Sequence, residues 1–287
     1  MIVHHLNCIS TCPVGGHLMD GRTPGLFARA TLACHCLLLE TADRLVLVDT
    51  GLGLRDVAAP RDRLSGFFLG LLSPDLRREM TAAHQVRALG YAPEDVTDIV
   101  LTHLDFDHAG GLDDFPAATV HLRAVEQQFA ERQHTWLDRQ RFRPAQWGSR
   151  LRWRTYDDAL TETWMGFDSV SGLHGLPPEI LMVHLPGHTH GHAGVAIRRD
   201  QEWLLLAGDA YFDRREMDPE PRCTPGLRLY QCLMEKDRRA RLEHRDRLRN
   251  LALRESGVTI FYSHDPVQFE ALAGRALGEP CRPRASG

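Results

Sequence analysis

Four side chains able to bind a metal fall within six residues: His103, Asp105, Asp107 and His108. Imidazole nitrogens and carboxylate oxygens are the donors that cations such as zinc take. The cluster follows Ile99-Val100-Leu101, an apolar β-branched run that reads as a buried strand. Alternate residues of an extended segment share a side, so His103 and Asp105 can face one ion. Asp107 and His108 are adjacent and diverge, which suits a second ion. Ala109-Gly110-Gly111 then allows a tight turn with no Cβ clash.

The elements that must position these groups are strands ending in reactive loops. Ile180 to His184 reads as a strand running into Pro186-Gly187-His188-Thr189. Ala193 to Ile197 and Trp203 to Leu206 read as a hairpin followed by Gly208-Asp209, and Val258 to Tyr262 as a strand followed by Ser263-His264. Among sixteen histidines, isolated ones carry little weight. Four strand ends carrying ligand-type residues in chain order carry much more. An earlier hairpin, Thr31 to Glu40 and Arg44 to Val48, ends in Asp49-Thr50-Gly51. There Asp49 reads either as a turn residue bonded to nearby N–H groups or as a neighbour of the site.

These motifs resemble those of the metallo-β-lactamase superfamily, from about Thr31 to Pro266. The resemblance implies an α/β fold, an αββα sandwich of two mixed β-sheets with helices on both outer faces. It implies two divalent metal ions at one edge, expected to be zinc. One would take His103, Asp105 and His188, the other Asp107, His108 and His264, with Asp209 bridging. His192 would then serve in packing or in hydrogen bonds behind the ligands.

Most hydrolases of that family carry His where this chain has Asp105. A third carboxylate would neutralise a dinuclear site, make its metals weaker Lewis acids and favour Fe or Mn more than an all-nitrogen set would. The implied activity is hydrolysis of an ester, lactone or amide bond of a small molecule by a metal-bound hydroxide. Asp107 is a candidate proton shuttle. Tyr211, two residues beyond Asp209, is a candidate donor to the substrate carbonyl, as in lactonase-like members. The alternatives are an iron-dependent redox enzyme of the same fold, persulfide dioxygenase-like or flavodiiron-like, and a non-catalytic metal-binding protein.

Length and composition agree with one globular domain over residues 1–287, with 43% hydrophobic and 25% charged residues. An insertion is expected at about 137–175 and a mobile tail from about 278. The net charge of −4 argues against a broad nucleic-acid surface. Basic charge is almost all Arg, Lys236 being the only lysine. No run is long enough to span a membrane, no signal peptide is visible, and seven cysteines form no dense framework. A cytoplasmic location follows as the expectation, with Cys34 and Cys36 as buried small hydrophobes. A homodimer is left open. The apolar stretch Phe67 to Leu72 reads as a core helix or dimer contact, with a lid or acyl-chain pocket as the alternative.

Overall fold

The computed structural model describes residues 1–147, 152–157 and 162–281. Twelve strands among the described residues form two six-stranded sheets. The first contains β1 (Ile2–Asn7), β2 (His35–Glu40), β3 (Leu45–Val48), β4 (Val96–Val100), β5 (Thr119–Arg123) and β6 (Arg152–Tyr156), in that spatial order. The second runs β12 (Val258–Phe261), β11 (Glu202–Leu206), β10 (Ala193–Arg199), β9 (Ile180–His184), β8 (Phe167–Gly172) and β7 (Glu162–Trp164). Both sheets are mixed: β3 to β6 pair in parallel, as do β11 and β12, and the other neighbours pair antiparallel.

Alternation along the strands shows why the sheets stack. Leu37, Leu39, Val46 and Val48 face Val195, Ile197, Leu204 and Leu206 between the sheets. Their neighbours Cys36, Leu38, Leu45 and Leu47 point outward and are covered by the Ala82–Ala88 helix. Outside the second sheet, Leu248 and Leu251 of the Arg238–Arg254 helix cover Ala196 and Leu205. Strands apolar on both faces need a layer on each side, and the result is the expected αββα sandwich.

Several expected boundaries differ. The helical spacing of Leu76, Met80, Ala83 and Val86 predicts a helix from Asp75 to Leu89; the structure has a 3₁₀ turn, Arg78–Met80, and a helix, Ala82–Ala88, because the Thr81 hydroxyl caps a new start at His84 N–H. The sequence from Arg123 to Trp136 also reads as a helix; the observed one, Ala124–Arg132, ends where Gln133 turns left-handed at φ 44°. The described parts of the expected insertion at 137–175 join both sheets. They supply β6 to the edge of one sheet and β7 and β8 to the edge of the other. At the C-terminus Cys281 is buried and its N–H donates to Gln85 Oε1, so the chain is docked to that point. The remainder of the expected tail lies outside the described residues. Among the described residues no helix is long and apolar enough to cross a membrane.

One buried pair makes the fold sensitive to acid. His5 Nδ1 and His35 Nε2 lie 2.8 Å apart, beside Phe261 and Phe269. Burial, followed by the charge of Arg275, lowers the pKa of His5 to about 4, and burial lowers that of His35 as well. A histidine depressed in the folded state stabilises it above the unfolded pKa near 6.5. That contribution is lost as pH falls toward the folded value, because the unfolded chain takes up the proton first. His5 should therefore contribute up to about 3 kcal/mol that disappears between roughly pH 6.5 and 4. Melting temperatures measured across that range should fall less steeply for His5→Gln than for the unaltered chain; parallel curves would count against this.

Candidate metal centre

The ends of β4, β9, β11 and β12 converge at one edge of the sandwich, so each sheet contributes ligand-bearing loops. Thr102 and His103 continue from β4. Asp105 then precedes a single helical turn, Phe106–Ala109, that carries Asp107 and His108. Gly110 and Gly111 serve close approach more than turning: a Cβ on Gly110 would come within 2.4 Å of Asp56 Oδ2.

The seven residues expected to bind metal are brought together, and all are buried. Four donors about 2.1 Å from a tetrahedral ion lie roughly 3.4 Å from one another. His264 Nε2 is 3.4 Å from His108 Nε2, 3.2 Å from Asp209 Oδ1 and 3.8 Å from Asp107 Oδ2, and His108 Nε2 is 3.6 Å from Asp209 Oδ1. A second group surrounds Asp105 Oδ2, with His103 Nε2 at 3.3 Å and His188 Nε2 at 3.0 Å, and His188 Nε2 is 3.5 Å from Asp209 Oδ2. Asp209 thus reaches one cage with each oxygen.

The donor set fits a cation. His103 Nε2 and Asp209 Oδ1 are buried without a hydrogen-bond partner among the described residues. Unpaired polar atoms are costly in such a place unless something binds them. Burial would lower the pKa of His264, yet the negative charge of Asp209, with that of Asp107, raises it to about 9. His108 is likewise held well above its ordinary value by Asp209 and Asp49 against the effect of burial. The same field that attracts a proton there attracts a metal, which would displace it.

Atoms behind the ligands aim the imidazoles. Asp49 Oδ2 lies 2.8 Å from His108 Nδ1, and the Asp49 carboxylate also accepts from Thr102 N–H and Oγ1, each at 2.8 Å. The structure therefore places Asp49 beside the site and not only at a turn. Its backbone is held at φ 55°, a conformation most residues avoid. His264 Nδ1 donates to the Ala33 carbonyl at 2.7 Å, leaving Nε2 for the cage. His192 donates from Nδ1 to the Leu185 carbonyl and accepts the Asp209 N–H at Nε2, 2.8 Å away. Gly208 permits this at φ 55°, where a Cβ would stand 2.5 Å from His192 Nε2.

Three functional residues escaped sequence reasoning. Glu126 accepts from Leu104 N–H, Thr189 Oγ1 and Gly191 N–H, at 3.0, 2.6 and 3.0 Å, and so ties two ligand loops together. Arg141 grips Asp105 with both arms of its guanidinium: Nε to Oδ1 at 2.6 Å and Nη2 to Oδ2 at 2.5 Å. Its helix, Trp136–Arg141, is fixed by a reciprocal cap between Thr135 and Asp138, and Asp138 is paired with Lys236. Beside Asp105 the guanidinium overcomes the effect of burial and holds the carboxyl well below its usual range. It also restores the positive charge that Asp105 removes, so the charge balance drawn from the sequence omitted one cation.

The third is Tyr230, on the Pro225–Met234 helix, which lines the cleft above the cages. Thr224-Pro225 is a helix-start signal, and Leu227, Tyr230 and Met234 fall at helical spacing, so this helix was legible in principle. Tyr211 does not take the expected place. It is wholly buried outside the second sheet, its ring 5.0 Å from that of Tyr262, while the next residue, Phe212, faces the cleft. In the Gly66–Leu72 helix, Phe68 packs against Phe106 in the core and Leu72 reaches the cleft wall.

Asp49→Ala should lower metal affinity by about 10- to 100-fold through loss of its hold on His108. Titration against a competing chelator measures this; unchanged affinity would make Asp49 a turn residue only.

The sequence pattern of the metallo-β-lactamase superfamily matches residues 29–251. A probable metallo-hydrolase of Mycobacterium tuberculosis is 38% identical over 271 residues, covering 93% of this chain and 81% of that protein. An N-acyl homoserine lactonase of a Bacillus species is 26% identical over 240 residues, 83% of each chain. A solved N-acyl homoserine lactone hydrolase, with N-hexanoyl-L-homoserine bound at its catalytic metal centre, shares the fold with a TM-score of 0.70. It is 23% identical, with 96% of this chain and 97% of that one covered. With the family pattern spanning most of its length and cages of His and Asp at its strand ends, this chain belongs to the metallo-β-lactamase superfamily.

Proposed function

We propose that the protein is a metal-dependent hydrolase of small carboxylic esters, with lactones as the leading class. One observation carries the reading: the cages form the floor of a cleft whose walls are apolar. The cleft has Asp105, Asp107, His188, Asp209 and His264 at its base and Met19, Leu72, Leu227 and Met234 among its walls. An ester with a hydrocarbon arm can bury that arm against the walls while its carbonyl meets the polar floor. The lactonase relative supports the lactone class.

A divalent cation bound in this donor set supplies Lewis acidity and makes water nucleophilic at neutral pH. The chain's own groups do the rest. Tyr230 presents a phenol to the cleft. Burial first, and then the charges of Asp107 and Asp105, raise its pKa well above the ordinary value, so it remains a donor at neutral pH. It is placed to hydrogen-bond the carbonyl oxygen as negative charge develops there. Asp107, in the cleft floor, is placed to pass a proton from a carboxyl oxygen to the leaving oxygen.

The decisive assay sets metal-loaded protein against N-acyl homoserine lactones of increasing chain length, simple esters and β-lactams, and follows acid release. Chelator-sensitive turnover favouring lactones is expected. No hydrolysis, together with oxygen uptake on a persulfide, would replace this reading with the redox one. Within the active protein, Tyr230→Phe should lower kcat/KM by about 10²-fold at unchanged metal content. Tyr211→Phe, which does not line the cleft, should leave it near the original value; the reverse order would return the role to Tyr211.

A further inference from the structure

The two cages are not equivalent. Arg141 Nη2 lies 2.5 Å from Asp105 Oδ2 and 2.9 Å from His188 Nε2, two of the atoms that would bind an ion in the first cage. Its Nε holds the other oxygen of Asp105, and its Nη1 donates to the Met234 carbonyl at 2.7 Å. The side chain is wholly buried and held from three directions, so it cannot swing into solvent.

Elementary chemistry makes the contact with His188 exclusive. A neutral imidazole has one ring lone pair. With the proton on Nδ1, that pair at His188 Nε2 accepts from the guanidinium or binds a cation and cannot do both; with the proton on Nε2, the nitrogen donates to Asp105 Oδ2, 3.0 Å away, and has no pair to offer. Arg does not yield by deprotonation at any working pH. A divalent ion in the first cage would also stand close to a full positive charge in a poorly screened interior. The second cage has neither obstacle. Among the described residues no Arg or Lys contacts the donor atoms of Asp107, His108, Asp209 or His264. The Nδ1 atoms of both histidines are occupied by Asp49 and Ala33, which leaves each Nε2 facing the cage.

We propose that Arg141 closes the first cage to a tightly held metal. The chain then carries one ion at full occupancy, between Asp107, His108, Asp209 and His264 and beside His103, whose donor groups with those of His108 and Asp209, and the guanidinium is the fixed cation of the other half. Arg141 is here a positioning residue that sets metal count. The inference rests on the metal-hydrolase reading, and its test separates the two.

Metal-free protein is loaded with excess Zn²⁺, freed of loose ion by gel filtration and analysed for zinc per chain. One zinc is expected in the unaltered protein and two in Arg141→Met, which keeps bulk but loses the charge and the donors. Two in the unaltered protein overturns the proposal, as does one or fewer in the variant. No zinc in either protein overturns the metal-hydrolase reading as well, whereas one zinc in both leaves that reading standing. Where Arg141→Met does not fold, zinc anomalous scattering from crystals of the unaltered protein decides. A single peak within bonding distance of His264 Nε2 supports the proposal, and a full-occupancy peak bonded to His188 Nε2 overturns it.

Discussion

Three carboxylates, Asp105, Asp107 and Asp209, are buried together at the edge of the sandwich, and this concentration of negative charge governs what surrounds it. Isolated charges in such a place would be expelled or neutralised. Here they are met by Arg141, by the pull on His108 and His264 toward protonation, and by donor atoms spaced for a cation. Each half of the site finds its counter-charge differently. One half is served from within the chain, by a guanidinium; the other presents open nitrogen and oxygen atoms.

Such a cluster holds its geometry only if the loops bearing it are tied to something rigid. Four loops arrive from two sheets, and buried polar groups join them. Glu126 links the loop of His103 to the loop of His188. Asp49, from the end of β3, links Thr102 to His108. His192 fixes the backbone of Asp209. Each is a buried hydrogen-bonding group in low-dielectric surroundings, where such bonds are strong and their loss costly. The apolar sheets supply the platform, and these few polar ties set the registration on it.

The architecture was legible in the sequence because its signals are local. Runs such as Ile99-Val100-Leu101 announce strands, and Leu37, Leu39, Val46 and Val48 lie on the inner face that alternation assigns them. The ligands were legible because each stands just beyond a strand. Arg141 was not, since nothing in the spacing joins it to Asp105, 36 residues earlier. A buried carboxylate at a position usually held by histidine was itself a sign that a cation must be near, and the arginine-rich segment after Leu137 was where to seek it. Tyr211 illustrates the opposite error. Sequence distance from Asp209 suggested proximity to the substrate, but the turn after Gly208 directs Tyr211 into the outer layer and Phe212 into the cleft. A one-residue difference in a turn reverses which side chain is presented.

The hold of Arg141 on Asp105 also constrains how such a site can change through descent. Histidine at 105 with arginine at 141 leaves a guanidinium buried without its carboxylate. Aspartate at 105 without the arginine leaves the reverse. Removing one member of a buried ion pair typically costs about 3–5 kcal/mol, a large share of a domain's net stability. A lineage passing between histidine and aspartate at 105 therefore crosses a disfavoured intermediate unless both positions change together or a metal makes up the missing charge. Residues 105 and 141 are therefore expected to pass down as one inherited character, and relatives sorted by that pair should divide along a physical boundary that neither position marks alone.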